Sequence, residues 1–214
     1  MKNPLLNNFN TPYSTAPFSK IKNKHFKPAF IEAIKIAKEE IDVITSNTQV
    51  PTFENTLEAL EFSGQILDRI SSLFFNLNSA ETNDEIQKIA QEVSPMLTEF
   101  SNDITLNKKL FNRVKLIYDI KDEFNLSTEQ DTLLTKKYKS FVRNGANLNE
   151  TDKIELRKID AQLSKLKLKF GENVLAETNA FEVHLTNETK LKGLPESTIE
   201  AAQMVAKQKN KEGW

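Results

Sequence analysis

Apolar residues recur at intervals of three and four along most of this chain, the spacing that gathers them on one face of a helix. The first run spans about Lys24 to Ser46, with Phe26, Phe30, Ile34, Ala37, Ile41 and Ile44 in register. Pro28 falls in its first turns, where a missing N–H costs little. The stretch "PTFENTLEALEFSGQILDRISSLFFNLNSA", residues 51–80, reads as one long helix. Thr52 is its N-cap, Glu54 sits at the positive end of the dipole, and Leu57, Leu60, Ile66, Leu67, Ile70, Phe74 and Leu77 form its apolar face. A third helix opens at Thr82, where "TNDE" reads as a capping box with Glu85 at the third position. It carries Ile86, Ile89, Val93, Leu97, Phe100 and Ile104, and Pro95 in its middle predicts a kink or a break. Asn107 caps a fourth helix with Leu110, Val114, Ile117 and Tyr118 inward. "STEQ" at Ser127 opens a fifth, to about Arg143, and "RNGAN" marks a turn. The sixth, about Glu150 to Glu177, has the clearest period: Ile159, Leu163, Leu166, Phe170 and Val174 step by four, three, four and four. They are expected to face inward, with Lys165, Lys167 and Lys169 mostly on the wet side.

The period then changes. "AFEVHLT" alternates apolar and polar and predicts a short strand over Phe181–Leu185; a turn and a last helix from near Pro195 follow. One lone strand has no partner in the sequence. The expected organisation is an N-terminal arm over 1–22, a helical domain over 23–178, and a strand–turn–helix segment over 179–214. The apolar residues of the arm imply that it lies on a surface. Only five Gly and seven Pro occur among the 214 residues, too few for a many-turned β architecture. The expected class is all-α.

Charge removes several functions from consideration. Lys+Arg (29) nearly cancel Asp+Glu (30), and only four of the basic residues are Arg. Neither nucleic acid nor an anionic membrane is an expected partner. No apolar segment reaches the length of a membrane span, and the N-terminus lacks the apolar run of a signal peptide. The cytoplasm is the expected compartment, or the periplasm if a targeting segment has been removed. With no Cys, disulfides, thiolate nucleophiles and Cys-based zinc sites are excluded. The two histidines, His25 and His184, lie far apart, and neither HExxH nor a helical His pair is present. No GxSxG and no glycine-rich phosphate loop occurs. "KEE" at Lys38–Glu40 and "KDE" at Lys121–Glu123 hold adjacent carboxylates, read as solvated charge rather than acid–base pairs. The Phe74–Phe75 pair and the Tyr138–Phe141 face read as core. No catalytic, cofactor-binding or metal-binding residue is assigned.

The wording of the helices says more than their period. "NPLL", "APFSKIKNKHFKPAF", "PTFENTLEALEFSGQILDRISSLFFNLNSAETNDEIQKIAQEVSPML", "LNKKLFNRVKLIYD" and "NAFEVHLTNETKLKGLPESTIEAA" together resemble the N-terminal part of the M3 family of zinc metallopeptidases. Within it they are most similar to the bacterial peptidyl-dipeptidase and oligopeptidase A group. The resemblance implies a neurolysin-like, clam-shaped helical fold with two halves across a channel that admits short peptides. It implies a catalytic half with HExxH and a downstream Glu, where zinc polarises the scissile carbonyl and the motif Glu acts as base. None of those residues is in this sequence, so zinc is expected in the full-length parent and no cofactor in this chain. The expected partners are short peptides and the missing catalytic half, which would also supply the strand's partner. Two other readings stand beside it: a free-standing helical interaction module, and a small enzyme with an unrecognised site.

Overall fold

The computed structural model describes residues 3–214; the first two residues of the arm lie outside it. Among the described residues there are eight α-helices and no strand. The chain divides into two compact units, one reaching Leu168 and one over Lys169–Trp214.

In the first unit, helix α1 (Phe26–Ser46) is the shared spine. Its first half turns Phe26, Ala29, Phe30, Ala33 and Ala37 toward α3 (Gln65–Ala80) and α4 (Asp84–Thr105), and its last turns carry Ile41 and Ile44 into a second core. The alanines remove bulk where helices approach closely, and Phe26, Phe30, Phe74 and Phe75 fill the remaining space edge-on and tilted, with centroids 4.9–6.5 Å apart. The second core joins α5 (Lys108–Asp119) and α6 (Thr128–Arg143), where Tyr138 stacks on Tyr118 at 3.9 Å and Phe141 is buried. Both aromatic pairs are core, as the sequence predicts. The arm is seated: Leu5 is fully buried, and Arg69 donates to the carbonyls of Leu5 and Asn7 at 3.1 Å each while lying 4.7 Å over Phe9.

Four details differ from the sequence reading. Residues 51–80 are not one helix. A π-helical turn, Phe53–Glu58, leads into the short α2 (Ala59–Phe62), and the chain breaks at Ser63–Gly64 before α3. Gly64 has φ +75°, and its N–H donates to Glu40 Oε2 at 2.7 Å. The break thus depends on a carboxylate from α1 that the local pattern does not reveal. Helix α4 opens one residue later than the TNDE pattern suggests: Asn83, not Thr82, accepts from Ile86 N at 3.0 Å. Asn is as good a cap as Thr, so the pattern alone does not choose. The break that Pro95 allowed is absent, and the same helix runs on through it; packing on both sides of the proline holds it, with Val93 and Phe100 buried and Leu97 against the core.

The strand expected at Phe181–Leu185 does not form. In the second unit this segment is extended, but one reciprocal pair, Leu185 with Trp214 (2.6 and 2.8 Å), is its only ladder-like contact among the described residues. A single pair is too short to count as a strand. Its partner is Trp214 itself. Glu182 holds the return from α8 (Glu196–Gln208), pairing with Lys209 at 2.6 Å and with Lys211.

Candidate functional site

A groove of about 1000 Å³ lies in the first unit between α4, the α6–α7 connection and the early turns of α7 (Glu150–Ala180). The α4 wall carries a row of short hydroxyl side chains, Ser94, Thr98, Ser101 and Thr105, stepping by four, three and four, beside Leu97 and Asn102. Thr98 donates to the Ser94 carbonyl at 3.0 Å and Thr105 to that of Ser101. Such back-bonding keeps the hydroxyls close to their own helix, so this face has little bulk. The α7 wall presents Leu156, Asp160, Leu163, Ser164, Lys167 and Leu168. The connection closes one end. Gly145 lies there at φ +95°, where an added Cβ would meet Leu156 at 2.8 Å and Leu148 at 2.9 Å. Only glycine satisfies both the dihedral and the space.

Polar pins set the position of α7. Asn149 caps it, accepting from Asp152 N at 2.9 Å. Lys153, 5% exposed, donates to the Leu106 carbonyl at 3.3 Å, and Arg157 pairs with Asp103 at 2.8 Å and donates to the Asn102 carbonyl at 3.3 Å. Asp103 also takes Lys38 at 2.8 Å. These contacts fix the rotation of α7, and they correct the expected inward face. Ile159, Leu163 and Leu166 are exposed, and the helix turns Lys153, Arg157 and Ser164 to its own unit instead. A smaller hollow of about 280 Å³ shares Thr105 and Ser140 with the groove and reaches the Ser63–Gly64 break; the Glu61–Lys137 pair at 2.5 Å stands at its edge.

The groove offers hydroxyls, amides and leucines, a surface suited to hydrogen-bonding and packing against a chain. Sequence reading assigned no site residue and did not find this row; its one signal was the four-three-four spacing of Ser and Thr on α4. The residues present do not fit zinc. His25 Nδ1 accepts from Lys22 N at 3.1 Å, and His184 Nε2 contacts the Glu212 carbonyl at 2.6 Å. Among the described residues no group of three or more His, Asp or Glu converges as a metal site requires. The adjacent carboxylates of α1 serve structure: Glu40 holds Gly64 and Glu39 pairs with Lys35 at 4.0 Å.

No family model matches the chain. Dipeptidyl carboxypeptidase of Escherichia coli (strain K12) is 35% identical over 207 residues, 97% of this chain and 30% of its own length. The dipeptidyl carboxypeptidase of Salmonella typhimurium is 36% identical over 99% of this chain and 31% of its own. Oligopeptidase A of Haemophilus influenzae is 31% identical over 100% of this chain and 31% of its own. The chain is a homologue of these enzymes and spans about three tenths of their length.

Proposed function

We propose that this homologue of the M3 family peptidases is the non-catalytic helical domain of a zinc-dependent peptidyl-dipeptidase or oligopeptidase. It forms one wall of the substrate channel and limits substrates to short peptides. The observation that carries the reading is the match to dipeptidyl carboxypeptidase along 97% of this chain but 30% of the relative. Zinc supplies a polarised carbonyl and an activated water in such hydrolysis, and its ligands belong to polypeptide outside the matched part. The groove between α4 and α7 supports a channel role for the wall. Its hydroxyl row gives a peptide backbone acceptors at all four positions and donors at Ser94 and Ser101, without demanding particular side chains. The protein works in the cytoplasm on this reading. Among the described residues no helix is long and apolar enough to cross a membrane.

The test is a chimera in which this chain replaces the matched part of the Escherichia coli dipeptidyl carboxypeptidase. It should release dipeptides from short unstructured peptides, lose that activity to a chelator, and leave folded proteins intact. The 214-residue chain alone should do none of this. A folded chimera that hydrolyses nothing, or chelator-sensitive cleavage by the chain alone, would overturn the reading.

A further inference from the structure

Helix α7 carries an apolar row that its own unit leaves uncovered. Ile159, Leu163 and Leu166 are 51%, 44% and 65% exposed. Seven residues at 1.5 Å each make the row about 10 Å long. Isolated exposed apolar side chains are ordinary, but three at helical spacing on one face form a seam of the kind two helices share. The row lies about 130° round the helix from the side held by Lys153 and Arg157, at 100° per residue. It cannot roll inward without breaking the contacts to Leu106 and Asp103.

The charges beside the row narrow the occupant. Glu155 and Asp160 flank it together with Lys167, a mixture that gives an anionic lipid surface no attraction. A second copy would set like charges together. Antiparallel pairing centred on Leu166 brings Glu155 against Glu177, and parallel pairing brings Lys167 against its own equivalent. The relatives offer another occupant: about seven tenths of their length has no counterpart in this chain, and it is covalently joined to the part that does. We propose that the Ile159–Leu163–Leu166 row is the docking seam for an amphipathic helix of that remaining polypeptide. The inference rests on the function proposed above.

Because the chain has no cysteine, single thiols report on the seam. Ile159→Cys and Leu166→Cys are made in the 214-residue chain and in the Escherichia coli chimera, with Val43→Cys, 71% exposed on α1, as control. Maleimide labelling is read at each position by peptide mass spectrometry. In the chain alone all three should label at similar rates. In the chimera the two seam thiols should label about tenfold or more slowly, and Val43→Cys should not change. Fast labelling at both seam positions in a chimera that hydrolyses peptides would overturn the seam and leave the function standing. Protection without hydrolysis would keep the seam and sink the function; loss of both would sink both. Concentration-dependent protection in the chain alone would assign the row to a second copy and overturn the proposal.

Discussion

Arg113 is a buried cation that meets no carboxylate among the described residues. Its guanidinium donates to the Asn47 carbonyl at 2.8 Å, the Gln49 carbonyl at 3.3 Å, Asn55 Oδ1 at 2.8 Å and Thr56 Oγ1 at 3.2 Å. Burial lowers its pKa from the ordinary value, but an arginine remains charged at neutral pH. One side chain thus organises the turn between α1 and the π-helical start of the next segment. Arg113→Ala should lower stability by about 3 kcal/mol, because it removes four hydrogen bonds and the packing of one buried side chain at once. Arg113→Lys should recover little, lacking the planar fork. Urea denaturation with a reduced midpoint and an unchanged slope would show the effect.

Glu182 is the counterpart in the second unit. Hydrogen bonds from Lys209 and then Lys211 hold its carboxyl down to about 2. The folded value lies below the unfolded one, so the contribution is full above the ordinary carboxylate range, about 4.3, and is lost as pH falls from there. The carboxyl resonance of Glu182 should titrate near about 2 and move back toward the ordinary range in Lys209→Met.

At the scale of elements, local preferences yield to packing. Pro95 lies inside the continuous α4. An interior proline costs about 3 kcal/mol, against up to about 1 kcal/mol regained because it restricts the unfolded chain. Pro95→Ala should therefore stabilise the protein by about 2 kcal/mol, read as a raised melting temperature. The Ser63–Gly64 break behaves in the opposite way. A Cβ at Gly64 meets nothing nearer than Ala37 Cβ at 4.0 Å, so the cost of Gly64→Ala is conformational, about 1 kcal/mol for an L residue at positive φ. A larger loss would mean that the contact to Glu40 had also gone.

For the whole molecule, the exposed row on α7 and the exposed Phe181 and Val183 of the second unit leave apolar surface open to solvent. The chain alone should give a strongly helical far-UV spectrum, melt cooperatively, and bind an apolar dye. Leu166→Lys should reduce the dye signal without changing helicity, since Leu166 is 65% exposed. Dye binding that the substitution leaves untouched would move the sticky surface elsewhere.

The sequence by itself determined most of the helices and several of their caps. Asn107 and Ser127 cap as their patterns predict, and the apolar faces of α1, α3 and α5 point where their period says, because capping and period are settled within a turn or two of the chain. Its wording also carried the relationship to the peptidases. The tertiary structure decided what depends on residues far apart. Glu40 reaches across 24 positions to Gly64, and the Arg157–Asp103 pair joins residues 54 apart. That pair, with Lys153, turns α7 so that its most regular apolar face is outward. A period shows that a helix has an apolar face; it does not show which face a neighbour will hold. The groove was hidden for the same reason. Its walls are ordinary serines, threonines and leucines, and only the pinned angle between α4 and α7 makes them one surface.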